Sequence, residues 1–142
     1  MKLKRLLSDR WTVYAVVTSK GGGDSCQLEE FLASPGQYGK NANGLIQLLE
    51  YVAGSPSGPR ELPDTLSHYI DQDERIWEFI KGQLRVAWFY DEGQIIICTH
   101  CFVKASQKTP AADKRTAIEA KQNYLKAKKS KAITIIEDHP ND

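Results

Sequence analysis

The 142-residue chain is 41% hydrophobic and 26% charged, and its 19 Lys and Arg against 18 Asp and Glu leave a net charge of +1. That apolar content with so little net charge excludes a wholly disordered chain, and the length suits one compact domain. No apolar run approaches the roughly 18 to 20 residues of a membrane-spanning helix, Met1 to Arg10 does not read as a secretion signal, and three cysteines are too few for a disulfide framework, so a cytoplasmic protein is expected.

Trp11 to Ser19 is rich in β-branched and aromatic residues and stops at Gly21, Gly22 and Gly23, which predicts a strand and a turn. Asp24 or Ser25 is placed to cap a short helix through Leu28, Phe31 and Leu32, closed by Pro35 and Gly36. A second helix fits Asn41 to Ala53, where Leu45, Leu48, Leu49 and Val52 recur at helical spacing before Gly54. Residues 55 to 73 hold Pro56, Pro59, Pro63 and four acids, and they predict an irregular connection.

Arg75 to Ile80, Leu84 to Tyr90 and Ile95 to Val103 then read as strands joined by hairpin-length loops, an antiparallel meander. Thr109 supplies an N-cap, Pro110 the first helical position and Asp113 an acid near the helix start, so a helix is expected from Pro110 to Lys129. Its buried side should carry Ala117, Ile118, Tyr124 and Leu125, and Ile133 to Ile136 offers a short strand. The fold class is therefore α+β: strand, helix, helix, three-stranded antiparallel meander and C-terminal helix. We expect a three- or four-stranded sheet with both early helices on one face, in a single domain over 1–131 followed by an acidic tail over 132–142.

The near-zero net charge conceals a segregation: residues 24 to 73 sum to -6, whereas residues 74 to 131 sum to +6. Arg85 sits opposite Val86 and Trp88 in a strand suited to burial, and Arg75, Lys81, Lys104 and Lys108 fall near strand ends. Together they form either a cationic groove for an anion such as nucleic acid or a rim of charges paired with Glu78, Asp91 and Glu92. In a regular strand His100, Phe102 and Lys104 share a face with Cys98 and Ile96, while Cys98 and Cys101 point apart unless a bulge intervenes. Cys98-Thr99-His100-Cys101 looks like half a metal site, but the other histidines are His68 and His139, which supply no second pair, so no metal is expected. His100 and Tyr90 are candidates for proton transfer as well as for packing.

The stretch from Arg75 to Pro110, and above all Phe102-Val103-Lys104 followed by Gln107-Lys108-Thr109-Pro110 and a basic helix, resembles the phage-derived, HigB-like branch of the RelE/ParE toxin superfamily. Glu78, Gly82, Arg85, Val86 and His100 fit the same pattern, whereas Ile80 stands where that family usually has an arginine. The resemblance implies the toxin of a type II toxin-antitoxin system: a small messenger-RNA endoribonuclease that needs no metal or other cofactor, commonly acts on the ribosome, and is restrained by an antitoxin with a helix-turn-helix domain. It implies catalytic roles among Arg85, Lys104, Lys108, His100 and Tyr90, and RNA binding by Arg75, Lys81, Lys114 and Arg115. The alternatives are a ParE-like inhibitor of DNA gyrase that catalyses nothing, and a phage-derived interaction protein that has lost activity.

Overall fold

The protein is described here by a computed structural model over residues 1–137. Asp138 and Asp142, part of the expected acidic tail, and His139 lie outside the described residues. The elements are β1 (Lys2–Ser8), β2 (Thr12–Lys20), β3 (Gly23–Ser25), α1 (Gln27–Ala33), α2 (Gly39–Gly54), β4 (Ser67–Asp71), β5 (Ile76–Lys81), β6 (Leu84–Asp91), β7 (Ile95–Val103), α3 (Ala111–Lys129) and β8 (Thr134–Ile136). The fold is mixed α+β, with eight strands among the described residues joined in the order β4-β5-β6-β7-β2-β1-β8 and β3 paired to β2.

The meander is antiparallel as expected, with Trp77 opposite Trp88 and Val86 opposite Cys101. The sheet is nevertheless twice the expected size, and two of its pairings, β2 with β7 and β1 with β8, are parallel. Two of the added strands escape an apolar pattern search for physical reasons. In β1 the charged Lys2, Lys4 and Arg5 interrupt the leucines, yet Leu3 is buried. In β4, which replaces part of the expected irregular connection, Ser67-His68-Tyr69-Ile70-Asp71 lies at a sheet edge where polar side chains meet solvent.

Two cores flank the sheet. Val13, Ala15, Phe79, Val86 and Trp88 pack against Leu28 of α1 and against Leu45, Leu48, Leu49 and Val52 of α2. On the opposite face Leu3, Ile76, Ala87, Phe89 and Ile97 pack against Ala117 and Tyr124 of α3. Burying a large apolar side chain stabilises the fold by roughly 1.5 to 3 kcal/mol, so alternation along the strands fixes which residues meet which helix. Gly82 turns β5 into β6 at φ 56°, and a Cβ there would lie 2.4 Å from the Asn41 side chain of α2. That turn therefore admits only glycine without a shift of the helix.

Three helix expectations are corrected. Asp24 and Ser25 do not cap α1: they belong to β3, where Asp24 accepts from Lys2 at 3.0 Å and from Ser19, and Cys26 occupies the cap position. At α3 the cap position falls on Pro110 and no side chain caps the helix, so Thr109 does not serve. Leu125 is 51% exposed. The stripe that meets the sheet is Ala117, Lys121, Tyr124 and Lys128, at steps of three and four residues, and Leu125 lies about 100° round the helix from Tyr124.

Candidate functional site

Trp77 and Phe79 of β5, with Val86 and Trp88 of β6, face α1 and α2, so alternation sends Glu78 and Arg85 to the face that carries α3. Register sets His68 of β4 directly opposite Glu78. Glu78 is wholly buried, and its Oε2 lies 2.6 Å from His68 Nε2 and 3.6 Å from both Arg85 Nε and Lys104 Nζ. Arg85 is fixed further by its Nη1, which donates to the carbonyls of Gly82 at 2.6 Å and Leu84 at 3.0 Å. Lys104 leaves the end of β7 with its backbone N–H bonded to Gln83 at 2.8 Å. One buried carboxylate thus gathers two permanent cations and a histidine. Two cations stand against this one carboxylate, an excess of one positive charge.

The surroundings of His68 orient its ring. Its Nδ1 lies 3.2 Å from the Asp64 carbonyl, which can only accept, so Nδ1 carries hydrogen. Nε2 stands 2.6 Å from a Glu78 carboxylate oxygen, close enough for an ion pair but without hydrogen-bond geometry. His68 was not among the candidates read from sequence. Its signal is a register, opposite a buried acid across an edge strand, and no local motif carries it.

A bulge in β7 corrects the expected faces. Ala87 pairs with His100 but Trp88 pairs with Cys98, so the alternation shifts phase at Thr99. Ile96, Cys98 and Cys101 face α1 and α2, whereas His100 and Phe102 face α3 with their rings 5.3 Å apart. His100 therefore does not share a face with Cys98, and Cys98 and Cys101 do not point apart. Both thiols are buried, and burial pushes Cys101 up to about 12 and Cys98 higher still. Among the described residues no cluster of three or more His, Cys, Asp or Glu is arranged to hold a metal ion.

His100 is held at both nitrogens, with Nε2 3.0 Å from Asp113 Oδ1 and Nδ1 2.9 Å from Thr99 Oγ1. The Asp113 carboxylate accepts from Nε2–H, so Nδ1 of a neutral ring accepts from the Thr99 hydroxyl and keeps no lone pair for a substrate. This chain lines a cleft of about 890 Å³ between α3 and the sheet, with Val17, Gln27, Asn123 and Lys126 among its walls.

The remaining candidates scatter. Tyr90 faces the α1 and α2 side, packed on Trp11, Trp77 and Trp88, and burial raises its hydroxyl above the ordinary tyrosine value. Lys81 also lies on that side, its aliphatic stem along Gly44 of α2. The geometry thus separates Lys81 and Tyr90 from Arg85 and Lys104. Lys114 pairs with Asp71 at 3.2 Å, and Lys108 and Arg115 are exposed. Arg75 sits in the turn before β5 at φ 55° and lines a cleft with Arg60, Tyr69 and Trp77.

No helix among the described residues is long and apolar enough to cross a membrane. No curated protein matches the chain. Residues 29–122, about two thirds of the chain, match the family model described as Phage derived protein Gp49-like (DUF891), a stretch that contains His68, Glu78, Arg85, His100 and Lys104. By that match the chain belongs to the Gp49-like family of phage-derived proteins.

Proposed function

We propose that this chain is the toxin of a type II toxin-antitoxin system, a HigB-like member of the RelE/ParE superfamily that cleaves messenger RNA on the ribosome without a metal. In this reading a single domain, which takes in β8 beyond residue 131, acts in the cytoplasm and is neutralised by an antitoxin with a helix-turn-helix domain. The observation that carries the reading is the convergence of Arg85, Lys104 and His68 on the buried Glu78. Attack of a ribose 2′-oxygen on the adjacent phosphorus forms one P–O bond and breaks the bond to the 5′ oxygen, leaving a cyclic phosphate and a 5′-hydroxyl. Negative charge grows on the phosphorane oxygens, and two fixed cations meet that need without an ion. The 2′-hydroxyl must lose a proton and the 5′ oxygen must gain one. His68, 2.6 Å from Glu78, is the acid–base candidate nearest the cations, whereas His100 is bonded to Asp113 and Thr99.

The test is induced expression in bacteria with mapping of RNA 5′ ends, beside Arg85→Ala and Lys104→Met. New ends within coding regions should appear with the wild-type chain, and each variant should lower the cleavage rate by about 10² to 10³ while circular dichroism stays unchanged. Arrest with intact RNA and damaged DNA would instead identify a gyrase inhibitor, and a folded chain that arrests nothing would identify an inactive interaction protein.

A further inference from the structure

The three-strand edge formed by β4, β5 and β6 carries an aromatic row on the side away from Glu78. Tyr69, Trp77 and Trp88 are cross-strand neighbours, with ring centroids 3.8 Å apart for Tyr69 and Trp77 and 5.5 Å apart for Trp77 and Trp88. Tyr69 stands on the last strand of the sheet and is 38% exposed, so no further strand covers its outer ring face. A cleft of about 780 Å³ opens on this row, and Tyr69, Trp77 and Tyr90 share its lining with Arg60, Arg75 and Lys121. Asp64 is the one acid in that lining, and no carboxylate among the described residues pairs with Arg60 or Arg75. Lys121 is held by the Glu74 carbonyl at 2.6 Å, and Arg75 stands in the left-handed region that glycine favours.

We propose that this cleft binds a nucleotide of single-stranded RNA, its base stacked on the Tyr69–Trp77 pair and its phosphate held by Arg60 and Arg75. Stacked aromatic faces beside cations free of acids are the chemistry that single-stranded nucleic acid uses, because every base has a π-face and every linkage a charge. Tyr69 and His68 are consecutive on β4 and point to opposite faces, so one strand wrapping that edge would reach both the cleft and the Glu78 cluster. The inference rests on the proposed RNA substrate, and it adds a base-holding site outside the reacting centre.

The full chain is titrated with a fluorescent 2′-O-methyl oligoadenylate, which cannot be cleaved, and with an abasic oligomer of the same length and charge. The oligoadenylate should bind about 5- to 100-fold more tightly and quench tryptophan fluorescence. Tyr69→Leu should abolish that base preference, Tyr69→Phe should keep it, and Arg75→Gly should weaken both oligomers without lowering thermal stability. Equal binding of the two oligomers, or an unchanged preference in Tyr69→Leu, overturns the proposal. Cleavage of the ribose form is scored separately in the same samples. Cleavage by the wild-type chain without base-dependent binding would overturn this site alone, and base-dependent binding without cleavage would leave it standing while removing the nuclease.

Discussion

At the scale of single residues the buried carboxylate decides most. Lys104 looks like a surface lysine in the sequence, but its side chain is only 9% exposed and leans on Glu78, so its removal affects stability as well as charge. Lys104→Met, which keeps the apolar stem, should cost about 1 to 3 kcal/mol. Glu78→Gln should cost more, on the order of 3 kcal/mol, because two cations lose their shared counter-charge in a dry site. Urea unfolding of the two variants checks the order, and a smaller loss in Glu78→Gln would remove Glu78 from the centre of the site. The thiols offer a second check at this scale. With Cys98 and Cys101 buried and their acidity suppressed, both should resist a thiol reagent in the folded chain at pH 8 and react fully in denaturant.

At the scale of elements, α3 is held at its C-terminal half by one acid. Asp91 accepts from the Tyr124 hydroxyl and from Lys128 at 2.8 Å. Burial pushes the Asp91 carboxyl up, but the bonds from Lys128 and Tyr124 outweigh it and hold the group below the ordinary carboxylate range. A carboxyl that is more acidic in the folded chain stabilises the fold above its unfolded value, about 3.9, and loses that contribution as pH falls through the lower folded value. The melting-temperature difference between wild type and Asp91→Asn should therefore be full at pH 6 and vanish in strong acid. Leu125→Ala should change stability by no more than about 0.5 kcal/mol, since Leu125 faces solvent. These two outcomes distinguish the observed docking stripe from the one the apolar residues alone suggest.

At the scale of the whole molecule, the sheet separates two kinds of surface. On the α3 face the Glu78 cluster gathers cations, and around the β4 edge the aromatic row meets Arg60 and Arg75. Binding of single-stranded RNA should weaken linearly in log–log form as salt rises, with a slope of roughly 0.7 per phosphate neutralised. Arg75→Gly should reduce that slope by about 0.7, the share of one phosphate contact, and a slope near zero in the wild-type chain would remove RNA from both sites. The segregation of charge along the chain hinted at such a surface. It did not show that Lys81 turns away from it or that Lys114 is paired with Asp71.

The sequence by itself determined α1, α2, the antiparallel meander and α3, because their apolar residues recur at the periods of helix and strand and their ends carry Gly or Pro. It also carried a resemblance to a phage-derived family through the run from Phe102 to Pro110, and the Gp49-like match over residues 29–122 bears out its phage-derived part. Tertiary structure alone decided the parallel pairings, the edge strand β4 and the partner of every charged side chain, since these depend on which strand lies beside which. One bulged residue, Thr99, exchanged the faces of the cysteines and His100, and nothing in the local sequence announces that phase shift. Likewise Glu78, Arg85, Lys104 and His68 are distant or ordinary in sequence, and they become a site only because register stacks them around one buried carboxylate.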